Sequence, residues 1–202
     1  MDIKSIDFVN LHAHSGVGSP FDGFGYPQDH MDYAHSNGSK ALALTDHGNM
    51  NGFAYQVMHA KKMKAEGKDF KPIFGVEAYF IEDVVDWKAK YEQAKLDKKK
   101  AKQLDNSKSG INIETEGESK SKGRSDLNRS RHLILIAQNQ TGLNNIFKIV
   151  SESHKGDYFY RKPRVDFALL EKYGEGVIAA SACLGGIYAG AYWSKQEEGK
   201  AT

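Results

Sequence analysis

Eight side chains of types that bind metal ions or carry protons recur at comparable places along this 202-residue sequence. His12 and His14 flank one alanine in NLHAHS, Asp22 follows in the next loop, and Asp46 and His47 stand together in TDHGN. Glu77 lies in GVEAY, His132 opens HLILIA, and Cys183 follows GVIAASA. In an extended strand residues i and i+2 point the same way, so an H-x-H pair presents two imidazoles side by side, as a metal ion requires. Taken singly, each residue has an ordinary explanation: a histidine on a solvated strand end, a glutamate paired with lysine, a strand cap, a core cysteine. Such groups offered by five separate strands in one register point instead to a shared cation site.

Those strands are read from short aliphatic runs at 8–11, 41–45, 72–81, 132–137 and 176–182. Between them, 27–38, 51–67 and 141–153 carry helix-spaced apolar residues, such as Leu143, Ile146, Phe147 and Val150. Gly38 and Gly67 are expected to close two of these helices, and Thr141 to cap the third. Alternation of helices with nearly all-apolar strands indicates an α/β protein with a parallel sheet, open or closed into a barrel. Residues 86–131 break the rhythm. The part around Trp87 to Leu104 reads as a helix with one apolar side, and the rest as a flexible basic insertion with little to bury.

Composition is that of a single folded domain, with 40% hydrophobic and 27% charged residues. No apolar run approaches the ~20 residues of a membrane span, and the start, MDIKSIDF, has no signal-peptide core, so a cytoplasmic protein without membrane partners is expected. A single cysteine excludes an internal disulfide. Residues 88–131 hold 13 Lys or Arg and 7 Asp or Glu, which leaves 15 and 19 for the remainder. The body is therefore acidic, in keeping with bound cations, and the basic segment is a solvated face or a nucleic-acid contact.

FVNLHAHSGVGSPFDG, ALALTDHGNMNG, PIFGVEAYF, RHLILIAQNQTGLNNIFKIVS and FYRKPRVDFALLEKYGEGVIAASACLGG together resemble the polymerase-and-histidinol-phosphatase (PHP) domain. Within that family NQTGLNN, KPRVD and SACLGG look like the branch found at the N-terminus of bacterial or phage-encoded DNA polymerase III alpha subunits. The resemblance runs collinearly over the chain apart from 86–131. It implies one PHP domain over 1–202, with a distorted seven-stranded, TIM-like β/α barrel and up to three zinc, manganese or iron ions at its mouth. Carried over to this sequence, the ligand positions are His12, His14, Asp22, His47, Glu77, His132 and Cys183. The family's terminal Asp-x-His pair has no counterpart here, so the barrel is expected to be C-terminally incomplete and the chain to be part of a longer polymerase or a shortened gene product.

Mixed imidazole and carboxylate ligands suit borderline divalent metals, and paired cations make a shared water acidic enough to attack a phosphodiester near neutral pH. The resemblance accordingly implies metal-dependent 3′–5′ exonuclease activity, within a replicative DNA-directed DNA polymerase whose partners are DNA, its other domains and replisome subunits. A free-standing phosphoesterase of histidinol-phosphatase type and a non-catalytic module bracing the polymerase are the alternatives. Asp46 is expected to orient a ligand histidine or assist proton transfer. Tyr158 to Arg164 interleave aromatics with bases, so Arg161, Lys162 and Arg164 are candidate DNA or phosphate contacts, against the plainer reading of a surface loop leading into a helix capped by Asp166. A dinucleotide fingerprint at Gly16–Gly18 fails for want of its third glycine. A nucleophilic Cys183 needs a histidine partner, and a metal-thiolate suits its company better.

Overall fold

The computed structural model describes residues 8–108, 127 and 129–199. In chain order these form α1 (Pro27–Ser36), β1 (Ala41–Leu44), α2 (Phe53–Ala65), β2 (Lys71–Phe80), α3 (Val84–Lys108), β3 (Arg131–Ala137), α4 (Gln140–Ser153), β4 (Phe159–Tyr160), β5 (Lys162–Val165), α5 (Phe167–Tyr173), β6 (Val177–Ser181) and α6 (Ile187–Gly199). The expected helices at 27–38, 51–67 and 141–153 and four of the five expected strands are present. Gly38 and Gly67 follow their helices with φ of +85° and +75°. The cap of α4 is Asn139 rather than Thr141: its backbone is extended and its side-chain oxygen accepts from Gly142 N at 2.9 Å, so the helix begins earlier.

β2 is the axis of the sheet. One of its edges pairs with β1 along Lys71–Phe74 and with β5 at Tyr79–Phe80, both parallel, while β3 runs antiparallel along the other edge and is followed by antiparallel β6. The sheet is therefore mixed, not parallel. The all-apolar run in β3 reflects burial of both faces at Leu133–Ile136, and that burial does not depend on the direction of the neighbouring strand. The first expected strand, 8–11, is reduced to a bridge between Asn10 and Leu42. Ala43 N donates to Asn10 O and Thr45 N to Ala13 O, two residues against three, so an extra residue breaks the ladder as a bulge does.

Alternation along β2 divides core from site. Val76, Ala78 and Phe80 pack with Leu133 and Leu135 of β3 and with Ile146 and Ile149 of α4. Each of these side chains larger than alanine contributes about 1.5–3 kcal/mol of burial. Glu77 and Tyr79 take the opposite face. A second cluster of Met31, Leu42, Leu44, Met63 and Phe70 fastens α1 and α2 to β1. The helix read near Trp87 to Leu104 lies within α3, where Trp87 and Tyr91 stack with ring centroids 4.9 Å apart and both meet Tyr160 of β4. Residues 109–126 and 128 of the expected insertion lie outside the described residues. No described helix is long and apolar enough to cross a membrane.

Candidate metal centre

Glu77 is fully buried in the middle of β2 and is met by imidazoles from four directions. His12 Nε2 and His14 Nε2 lie 2.9 and 2.6 Å from its Oε2, His47 Nδ1 lies 3.4 Å from the same oxygen, and His132 Nδ1 lies 2.7 Å from Oε1. Asp22 joins from the rim, with Oδ2 at 2.8 Å from His47 Nε2 and 3.2 Å from His14 Nδ1. Cys183 Sγ sits 3.5 Å from His132 Nδ1 and 3.9 Å from Glu77 Oε1. All seven expected ligand positions thus converge.

Local backbone explains how. β1 ends at Leu44 and β5 begins its pairing with β2 only at Tyr79, which leaves a gap on that edge of β2. His47 fills it through a parallel bridge to Glu77, and Gly48 N donates to Glu77 O at 2.9 Å. Gly48 has φ of +65°, and a β-carbon there would stand 2.6 Å from Pro163 Cγ, so glycine is required to bring the turn this close. His132 stands near the start of β3, yet the antiparallel pairing opposite Tyr79 carries it to the rim that holds Glu77.

The donor set fits divalent cations. Three groups, His12–His14–Glu77, His14–Asp22–His47 and His47–Glu77–His132, each keep their ligand atoms within 4.8 Å of one another. His12 Nε2 and His14 Nε2 lie only 3.2 Å apart on one carboxylate oxygen, and His47 Nδ1 is buried without a hydrogen bond. A buried nitrogen without a partner is costly unless a ligand satisfies it. Burial alone would push the Glu77 carboxyl up, but His132, His14 and His12 hold it far below the usual carboxylate range. Hydrogen bonding to Glu77 raises His14 against the opposing effect of burial. Desolvation works to raise Asp22, and the hydrogen bond and charge of His47 prevail to lower it.

Among the described residues Asp46 forms no hydrogen bond to the side chain of an expected ligand. Its carboxylate accepts from Ser15 N at 2.7 Å, Ser15 Oγ at 2.9 Å and Ser19 Oγ at 3.2 Å, and Ser19 Oγ in turn accepts from His47 N at 2.9 Å. It anchors the loop after His14 to the loop carrying His47, and its charge adds to those that raise His14. Arg164 also departs from expectation. It is buried, donates to Tyr158 O at 3.1 Å and Asp157 O at 2.6 Å, and lies 3.6 Å from the centre of the Trp87 ring, so it braces the hairpin from within. Lys162 and Arg161 remain at the surface side of that hairpin, half-buried and exposed respectively. Asp166 caps α5, accepting from Leu169 N at 3.0 Å.

Tyr79 is a site residue that sequence reasoning misses. Its ring stacks on His47 at 5.6 Å and 11° and meets His132 edge-on at 5.5 Å. The signal is present in the sequence, since residue i+2 from Glu77 must share its face of β2.

The family model for the PHP domain matches residues 10–201. This chain belongs to the PHP family. The PHP domain is 37% identical over 183 residues to DNA polymerase III subunit alpha of Aquifex aeolicus, covering 91% of this chain and 13% of that protein. It is 36% identical over 180 residues to DNA polymerase III subunit alpha of Borreliella burgdorferi, covering 89% of this chain and 12% of that protein. The PHP domain thus spans only a small part of the length of these relatives. A Bifidobacterium adolescentis structure, provisionally described as a metal-dependent phosphoesterase, shares a TM-score of 0.39 and 13% identity over 72% of this chain and 32% of its own, too distant a likeness to argue from.

Proposed function

We propose that this PHP domain is part of a DNA polymerase III alpha subunit and that its centre hydrolyses phosphodiesters at DNA 3′ ends with divalent zinc, manganese or iron. The observation that carries the reading is the convergence of His12, His14, His47 and His132 on the buried carboxylate of Glu77. Together with Asp22 and Cys183, these residues would hold up to three ions. Bound divalent cations supply neutralisation of phosphate charge and a water acidic enough to be a nucleophile near neutral pH.

The chain's own residues do the rest. Glu77, held far below the usual carboxylate range, provides negative charge, and Asp22, half-exposed beside two imidazoles, presents the carboxylate at the solvent side. Asp46 and the serines that donate to it keep the His14 and His47 loops at fixed separation. In the reaction the phosphorus–oxygen bond to the penultimate 3′ oxygen breaks, the oxygen of water joins phosphorus, and a proton passes to the leaving oxygen. Polymerisation, DNA and replisome contacts of the whole protein, and closure of the sheet into a PHP-type barrel belong to the same proposal, with a cytoplasmic location.

The test is release of labelled 3′ nucleotides from single-stranded DNA by metal-loaded protein, beside an assay on histidinol phosphate. His47→Ala is expected to abolish release. Hydrolysis of the small phosphate with DNA left intact would assign the centre to the histidinol-phosphatase type, and neither activity would leave a bracing module.

A further inference from the structure

Outside the metal centre, the β4–β5 hairpin combines a braced base with a strained, cationic tip. Tyr160 and Lys162 pair across a turn of one residue, Arg161, which has φ of +59° and is the one non-glycine residue with positive φ among the described residues. Glycine adopts this conformation without steric penalty, so an exposed arginine here is held against its local backbone preference. Beneath the tip, Arg164 is clamped to Asp157 O and Tyr158 O and packed on Trp87, and Tyr160 Oη donates to Tyr91 Oη at 3.0 Å. The tip is therefore carried on a rigid support.

One of its two cations stands next to the centre. Lys162 Nζ stands 4.1 Å over the Tyr79 ring, and that ring is the one stacked on His47 and set edge-on to His132. One aromatic ring thus separates the ammonium from two imidazoles of the site. Arg161 extends the positive charge outward along Tyr160, its guanidinium carbon 5.5 Å from that ring, and Phe159, two residues earlier, stacks on His154 and is 48% exposed. Two cations in sequence with an exposed aromatic suit a single nucleic-acid strand, phosphates on the bases and a nucleobase on the ring.

We propose that Lys162 and Arg161 bind successive phosphates of a single DNA strand and aim its end at the metal centre, Lys162 holding the phosphate nearer to His47. This rests on the phosphodiesterase reading above and names the residues that position its substrate.

The experiment measures binding of a short fluorescein-labelled oligothymidylate to the full chain by anisotropy in EDTA, where hydrolysis is off, across a salt series. Removing one cation that neutralises a phosphate of a single strand lowers the slope of log K against log salt by about 0.7. Arg161→Gly and Lys162→Gln are each expected to lower it by about that amount and the double variant by about 1.4, whereas Lys61→Gln on the outer face of α2 leaves it unchanged. Arg161→Gly is also expected to keep the thermal midpoint at or above that of the parent, because it relaxes the turn, so its weaker binding cannot be ascribed to unfolding. Unchanged slopes in both variants, or no binding by the parent chain, would overturn the proposal. Because hydrolysis is not read here, failure of the phosphodiesterase assay with metal leaves a positive binding result intact, and unchanged slopes sink the hairpin assignment even where DNA is hydrolysed.

Discussion

His47 meets Glu77 twice, through a backbone bridge between the two residues and through an imidazole Nδ1 that lies 3.4 Å from the carboxylate without forming a hydrogen bond. The backbone contact fixes the position, and the buried nitrogen is left for another ligand. A centre built this way depends on the carboxylate more than on any single histidine.

Glu77→Gln should therefore empty the site. Elemental analysis after reconstitution with zinc or manganese is expected to show a far larger loss of bound metal than for Glu82→Gln, an exposed carboxylate just beyond β2. Equal metal content in the two variants would refute the central place given to Glu77.

Chelation should lower the thermal midpoint. A ligand present at 100 times its dissociation constant stabilises the folded state by about 2.7 kcal/mol, and for a chain of this size about 1 kcal/mol moves the midpoint by about 2–4 °C. Scanning calorimetry before and after EDTA is expected to show a drop of about 5–10 °C that returns with added metal. A midpoint indifferent to both would argue that the cluster holds no ion.

Asp46→Asn should cost stability rather than one catalytic group. The amide that replaces the carboxylate can no longer accept at every oxygen, and leaving a buried donor such as Ser15 N unsatisfied costs about 1–3 kcal/mol. The urea midpoint is expected to fall accordingly, with metal affinity declining because the His14 and His47 loops lose their common anchor.

Alkaline pH provides a check away from the candidate metal centre. Burial, then the charge and hydrogen bond of Asp166, push the Tyr158 hydroxyl up to about 12 from 10.0. Between those values the unfolded chain has released a proton that the folded chain retains, so stability falls as pH rises through that interval. Tyr158→Phe removes this contribution. The difference in urea midpoint between about pH 9 and about pH 11 is expected to be smaller in the variant than in the parent, and an identical difference would show that Tyr158 titrates normally.

Much of this molecule follows from local rules that a linear chain already contains. The side-by-side imidazoles of His12 and His14, the apolar stripe of α4, the glycines that end α1 and α2 and the Asp166 cap of α5 each depend on spacing within a few residues, and the structure has them all. The residues that converge on Glu77 are legible too, because rare side chains recur beside successive strands. Long-range pairing decides the rest. An apolar run is the same whether its neighbour runs parallel or antiparallel, so only the tertiary fold reverses β3 and swings His132 to the rim with Glu77. Interleaved aromatics and bases carry no sign of which way each side chain turns. Packing on Trp87 draws Arg164 inward and leaves Arg161 outside, because a buried guanidinium needs the carbonyls of Asp157 and Tyr158, and those lie within reach only after the hairpin has folded against α3.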